Sequence, residues 1–440
     1  MKKLGMALVL FVLATGCSTA KDGGGQVKET VNAVPSVSTE PVTLKVYLNV
    51  GVSEKEAQLF YIEPLKKKYP NITLDFVNMN PTKENHINTL IASGNLPDLV
   101  IASTTGVQTF QKIDFTADLN PLVKKFDTDL SRLDPITLET LKSYSNKGEL
   151  MGLPVTMSFP ALYYNKDIFD KFGIAYPKDG MTWDEAIAIA KKLTRTENGI
   201  RYRGLNPGGA DLMGYGLSLP YVDVQSNKPV LETDTWIKVV SKAAEIYSIP
   251  GWLDGNLPSG QGQNDFTKLK DTAMIGSWSM LAALEKLQQE GQPMNWDMVT
   301  IPNFEEAKGT GREIDFQMFM ISKNSKHQEQ AFQAISYFLS DEVQTIINQN
   351  GNLTVLKKTQ EYQNNFGTNL PSLKGKNLNA IFGAKPGKLH PPTPYDGEAR
   401  KKLNAAAYEV GASKIDVNSA LRSVNEQMGK FIASDQGNVK

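Results

Sequence analysis

The sequence predicts an α/β protein whose sheets are mainly parallel and flanked by helices, and two stretches carry that prediction. From Val42 to Ala102, strand-type and helix-type periodicities alternate, the grammar of a parallel sheet with right-handed crossovers. From Gly152 to Arg195 the grammar recurs, with an apolar strand, a helix stopped by glycine and a helix opened by a threonine cap. At 440 residues and 40% hydrophobic content, the chain is long enough for two or three domains.

The chain opens with Lys2, Lys3 and an apolar run from Leu4 to Ala14. That run is too short to span a bilayer comfortably and has the anatomy of a secretory signal, 1–16. Its end, Leu13-Ala14-Thr15-Gly16-Cys17, resembles a bacterial lipobox, which implies a lipidated (palmitoylated) Cys17 and a membrane anchor. Cys17 is the only cysteine, which excludes internal disulfides and multi-cysteine metal sites. Residues 17–41, poor in large apolar side chains, read as the lipidated cysteine and a flexible tether.

Order is expected from Val42, where Val42, Leu44, Val46 and Leu48 alternate with polar residues as in a strand. Ser53 and Glu56 form a capping box for a helix carrying Leu59, Phe60, Ile62 and Leu65. Strands follow at Ile72–Phe76 and after Pro97, around a helix ending at Gly94. Ala161 to Tyr164 reads as a buried strand, Lys166 to Phe172 as a helix stopped by Gly173, and Thr182 with Glu185 as a second capping box. Further on, Asp234–Tyr247 is a helix, Thr272 begins a strand with a Gly276-Ser277 bend, and Trp278 is expected to start the next helix. Strands are expected at Trp296–Pro302 and Asp315–Ser322, and helices at Glu329–Leu339 and from Glu342 to Asn350. Pro371 to Pro394 reads as poorly structured, before amphipathic helices at Glu398–Ala412 and Val417–Ile432.

As a pattern, LPVTMSFPALYYNKDIFDKFGI…TWDEAIAIAKKLT resembles the crossover segment of extracellular solute-binding proteins of ABC importers, the family that includes maltose- and oligosaccharide-binding proteins. SGNLPDLVIA, the Thr272–Leu284 stretch with its Trp278, and the strand from Trp296 resemble further landmarks, so that the likeness covers roughly 42–435. It implies a two-lobed periplasmic-binding-protein fold, type II-like, joined by hinge strands. The implied lobes are 42–157 with 318–352, and 158–317 with 353–440. The implied function is capture of a carbohydrate, an oligosaccharide being favoured, in the cleft between lobes, and its delivery to the permease subunits of the importer. The protein would act as a monomer, lipid-anchored on the extracytoplasmic side of the cell membrane. Another organic solute is the alternative ligand, and a lipid-anchored glycoside hydrolase the alternative from a different class.

In open α/β sheets ligands sit beyond the carboxyl ends of strands, which makes Asn49 and Ser103 binding candidates or simple turn residues. Ser158 lies where the chain should pass between lobes, and Tyr215 and Phe316 join the candidate set. Trp278 is either an aromatic plate for a sugar ring or a core residue; Leu281, Leu284 and Leu287 already supply its helix with a core-facing stripe.

Chemistry finds little support in the residues. No G-x-S-x-G or H-E-x-x-H occurs, and Glu305-Glu306 sits in a polar loop. The three histidines are far apart, and Thr194 to Gly199 carries too few carboxylates for a calcium loop, so neither metal nor cofactor is expected. Gly208-Gly209 and Gly214-Tyr215-Gly216 fit no phosphate motif. Tyr163 and Tyr164, adjacent on a strand, must face opposite ways and read as packing rather than paired ligands. Basic and acidic side chains balance at 47 each, which gives no reason to expect a nucleic-acid partner.

Overall fold

The computed structural model describes residues 39–253, 262–357 and 359–437. The expected signal sequence, Cys17 and nearly all of the tether lie outside the described residues.

Strand β1 (Val42–Leu48) buries Leu44 and Val46 completely and exposes Thr43 and Lys45, as its alternation requires. It pairs in parallel with β2 (Ile72–Phe76) and β3 (Leu99–Ser103). The helix between β1 and β2 opens at Ser53, whose hydroxyl and Glu56 satisfy each other's backbone N–H groups. Short helices at Val107–Lys112, Asn120–Lys125 and Pro135–Ser143, which no strong periodicity announces, lead to β4 (Leu153–Met157).

The chain then crosses into a second sheet through β5 (Pro160–Asn165), which is joined by β6 (Met274–Trp278) and β7 (Trp296–Val299). It returns through β8 (Phe316–Ile321). The first sheet has the order β2-β1-β3-β8-β4 and the second β6-β5-β7. Here the expectation of mainly parallel sheets needs correction. β8 runs against both β3 and β4, and β5 runs against both β6 and β7. In each sheet the reversed strand is one that carries the chain across, entering from the opposite side to its neighbours.

Two hydrophobic clusters form the core. Ala161 and Tyr163 belong to one and Leu162 and Tyr164 to the other, so β5 is buried on both faces. Adjacent tyrosines on a pleated strand thus pack in separate cores. Lys166–Phe172 is capped by the Asn165 side chain and ended by Gly173 at φ 63°, a left-handed stop that glycine takes without strain. Trp183–Leu193 opens with the Thr182–Glu185 box and buries Trp183, Ile187, Ala190 and Leu193. The Asp234–Tyr247 helix has the bounds its sequence predicts.

Two further expectations fail. Gly276 and Ser277 do not bend the chain: they are paired within β6, so Trp278 closes that strand and the following helix begins at Leu281. Residues 371–394 are more structured than their prolines suggest, with a short helix at Asn379–Phe382 and a strand, Lys385–Gly387, paired in parallel with Thr310–Glu313.

Candidate functional site

A cavity of about 190 Å³ lies beyond the ends of β3 and β6. Ser103, Thr104 and Thr105 line it at the end of β3, where parallel-sheet geometry leaves room for a ligand. Tyr215, Trp278 and Arg400 line it from elsewhere, and Glu313, Ile314 and Asp315 come from the segment leading into β8.

The Tyr215 and Trp278 rings lie 6.2 Å apart with planes inclined at 52°, and Arg400 Nη1 donates to the Tyr215 hydroxyl at 2.7 Å. Trp278 is half-buried, whereas Tyr215 is buried and its phenol pushed up mainly by that burial. The wall is therefore an indole, a phenol and a guanidinium with donors remaining after its bond to Tyr215.

Asp315 is fixed by Thr104, whose hydroxyl donates at 2.6 Å and whose N–H donates at 3.3 Å. Tyr144 donates from its hydroxyl to the Thr104 carbonyl at 2.9 Å and so steadies the loop from behind. Burial raises Asp315 above the usual carboxylate range, while hydrogen bonds from Thr104 and Ser158 oppose that shift.

Glu313 is held differently. His390 Nδ1 lies 2.9 and 2.7 Å from its two oxygens, and His390 Nε2 lies 2.9 Å from Asp396 Oδ2. Burial pulls the imidazole down, but the bonds to Asp396 and Glu313 outweigh it and carry His390 up to about 9. All three side chains are nearly inaccessible, so a buried cation is sandwiched between two carboxylates. Among the described residues, no group of three or more His, Cys, Asp or Glu is arranged to hold a metal ion.

Of the candidates read from the sequence, Ser103, Tyr215 and Trp278 come together in this cavity. Ser158 lines an adjoining crevice that shares Glu313 and Ile314, and its N–H donates to the Asp315 carbonyl at 2.8 Å. Asn49 does not line the cavity. Its N–H donates to the Ile101 carbonyl, and its Oδ1 fills the space a Cβ at Gly106 would need, so it supports the turn after β3. Phe316 is fully buried in the core, because alternation along β8 turns it away from the side that Asp315 occupies. Thr104, Thr105, Glu313, Asp315 and Arg400 also line the cavity and are absent from the sequence candidates. Ser103-Thr104-Thr105 at a strand end was a usable signal; Arg400, beside Lys401 and Lys402 on a helix, offered none.

A family model for bacterial extracellular solute-binding proteins matches residues 61–373. The chain belongs to this family. Among characterised relatives, this solute-binding protein is 27% identical over 194 residues to the melibiose/raffinose/stachyose-binding protein MelE of Bacillus subtilis, covering 44% of this chain and 40% of MelE. It is 32% identical over 210 residues to the arabinooligosaccharide-binding protein of the same organism, covering 44% of this chain and 43% of that protein. The matches thus span about two fifths of the length of these relatives. Its fold is that of an ABC substrate-binding protein from Listeria monocytogenes solved with cycloalternan, at a TM-score of 0.69 and 18% identity, covering 90% of this chain and 100% of the other. The fold is accordingly the two-lobed one of periplasmic binding proteins.

Proposed function

We propose that this solute-binding protein is the capture component of an ABC importer and takes a carbohydrate, an oligosaccharide being favoured, into the cavity described above. The observation that carries this reading is the composition of that cavity: strand-end hydroxyls, an aromatic pair and a guanidinium with spare donors converge on one space. Aromatic plates suit the C–H faces of sugars, and Ser, Thr and Arg groups suit their hydroxyls. The names of the relatives from Bacillus subtilis point the same way.

Capture involves no chemistry. The lobes, 42–157 with 318–352 and 158–317 with 353–440, close on the ligand about the crossover strands, and the permease subunits recognise the closed form. The protein acts as a monomer tethered through a lipidated Cys17 on the extracytoplasmic side of the membrane.

Thermal melts across a panel of saccharides test the reading, because a ligand that binds only the native state raises the melting temperature. The expected result is a shift with one saccharide class, one-to-one binding by calorimetry and no product. Product formation would point to a hydrolase, and a shift only with non-carbohydrate solutes to the alternative ligand class. For the anchor, Cys17→Ser should leave the melt unchanged and release the protein from membranes; retention at high salt would sink the lipid tether.

A further inference from the structure

Among the described residues, two ion pairs cross between the proposed lobes, Lys112 with Asp435 and Lys388 with Glu139. The others each lie within one lobe.

Both crossing pairs stand on the segments that wall the cavity. Lys112 ends the helix Val107–Lys112, which follows Ser103, Thr104 and Thr105 and whose Phe110 packs edge-on against Tyr47 of β1. Asp435 lies near the end of the helix Val417–Gly437, which packs on the helix Asp396–Gly411 that carries Arg400. Lys402 Nζ donates to Gln427 Oε1 at 3.1 Å between those two helices. Glu139 belongs to the helix Pro135–Ser143, and Tyr144, next along, is the residue that steadies Thr104. Lys388 follows the strand Lys385–Gly387, and its carbonyl accepts from the Ser218 hydroxyl at 2.6 Å, just past Tyr215–Leu217. The two pairs therefore join the wall of Ser103–Thr105 to the wall of Tyr215 and Arg400.

Neither pair belongs to a hydrophobic core, and parting the walls would break both without unpacking the helices that carry them. Their attraction thus acts on the balance between open and closed forms. Exposed pairs are weak and screened by salt, so the two should differ in strength. Lys112 meets both Asp435 oxygens, and these side chains are 35% and 27% exposed, against 76% and 63% for Lys388 and Glu139. Lys112–Asp435 is the stronger.

We infer that Lys112–Asp435 and Lys388–Glu139 form an electrostatic clasp between the two walls of the cavity, which favours the closed form and makes closure sensitive to ionic strength. The inference goes beyond ligand capture and rests on the two-lobed fold and the lobe boundaries proposed above, not on the identity of the ligand.

Single-molecule energy transfer on the ligand-free protein counts the two forms directly. Dyes are placed at Lys124→Cys and Lys401→Cys, exposed positions on opposite lobes, in the Cys17→Ser chain, which has no other thiol. At low salt, Lys112→Gln/Lys388→Gln should raise the open-to-closed ratio about two- to thirtyfold, the scale of two exposed pairs. Lys112→Gln alone should supply the larger part. The native protein should show a similar rise in about 1 M salt, and the double variant should not. The swap Lys112→Glu/Asp435→Lys should return the ratio to its native value at low salt, which a change in packing alone would not do. Should the double variant melt early, Lys388→Gln alone, at a highly exposed position, carries the test through a smaller rise of the same ratio. A ratio unmoved by these variants or by salt would overturn the clasp, as would a swap that leaves the ratio raised. No saccharide enters the experiment, so its failure leaves the carbohydrate reading standing.

Discussion

Glu313 and Arg400 line the same cavity and are held in opposite ways. Both Glu313 oxygens are taken by His390, whose other ring nitrogen is taken by Asp396, which in turn accepts from the Thr393 hydroxyl and N–H. Arg400 gives one N–H to Tyr215 and has no carboxylate within ion-pair distance among the described residues. A buried charge with every partner in place is scaffold, because moving it would leave its neighbours uncompensated. A charge with donors remaining is available to a ligand. The difference assigns stability to one side of the cavity and recognition to the other.

The largest expected effect tests the scaffold side. His390→Ala leaves Glu313 and Asp396 buried without their shared cation and should cost about 3–5 kcal/mol of stability in denaturant melts. A loss below about 1 kcal/mol would erase the contrast with Arg400.

Next comes pH. The imidazole rises from 6.5 to about 9 on folding, so the stability it contributes is complete below about 6.5 and fades as pH climbs through about 9. The expected loss is on the order of 3 kcal/mol. Melts of the native protein and of His390→Ala over that interval separate this group from any other, since only the native protein should show the decline.

On the recognition side, Trp278→Ala should weaken sugar binding by about 1–3 kcal/mol while changing stability little. A stability loss of about 3–5 kcal/mol with affinity intact would instead make the indole a core residue. The smallest effect is that of Ser158→Ala, which removes a hydroxyl from the crevice adjoining the cavity and is expected to weaken binding by about 0.5–1.5 kcal/mol. An unchanged dissociation constant would restrict Ser158 to the hinge.

Local signals carried the fold far. The capping boxes at Ser53 and Thr182 and the glycine stop at Gly173 form as their residues dictate, since each depends only on atoms within one turn. What failed depended on distant partners. The sequence points to Phe316, whereas Asp315 lines the cavity: one step along a strand of period two flips the face. The sequence places Trp278 at a helix start because the pairing of Gly276 and Ser277 with β5 is not written in their own neighbourhood. The His390 network joins residues 313, 390 and 396 across a proline-rich run that carries no periodicity, so nothing local announces it.

The placement of β8 between β3 and β4 also bears on how the chain folds. Residues up to 157 can form β1 to β4, but the strand that joins β3 to β4 spans 316–321 and is made much later. Until then, the facing edges of β3 and β4 lack the antiparallel partner that satisfies their backbone N–H and C=O groups. Assembly of the first sheet therefore waits on a contact between segments far apart in sequence, with the entropy cost and slow closure such contacts bring. A truncation ending before residue 316 should accordingly expose sticky sheet edges rather than yield a folded half.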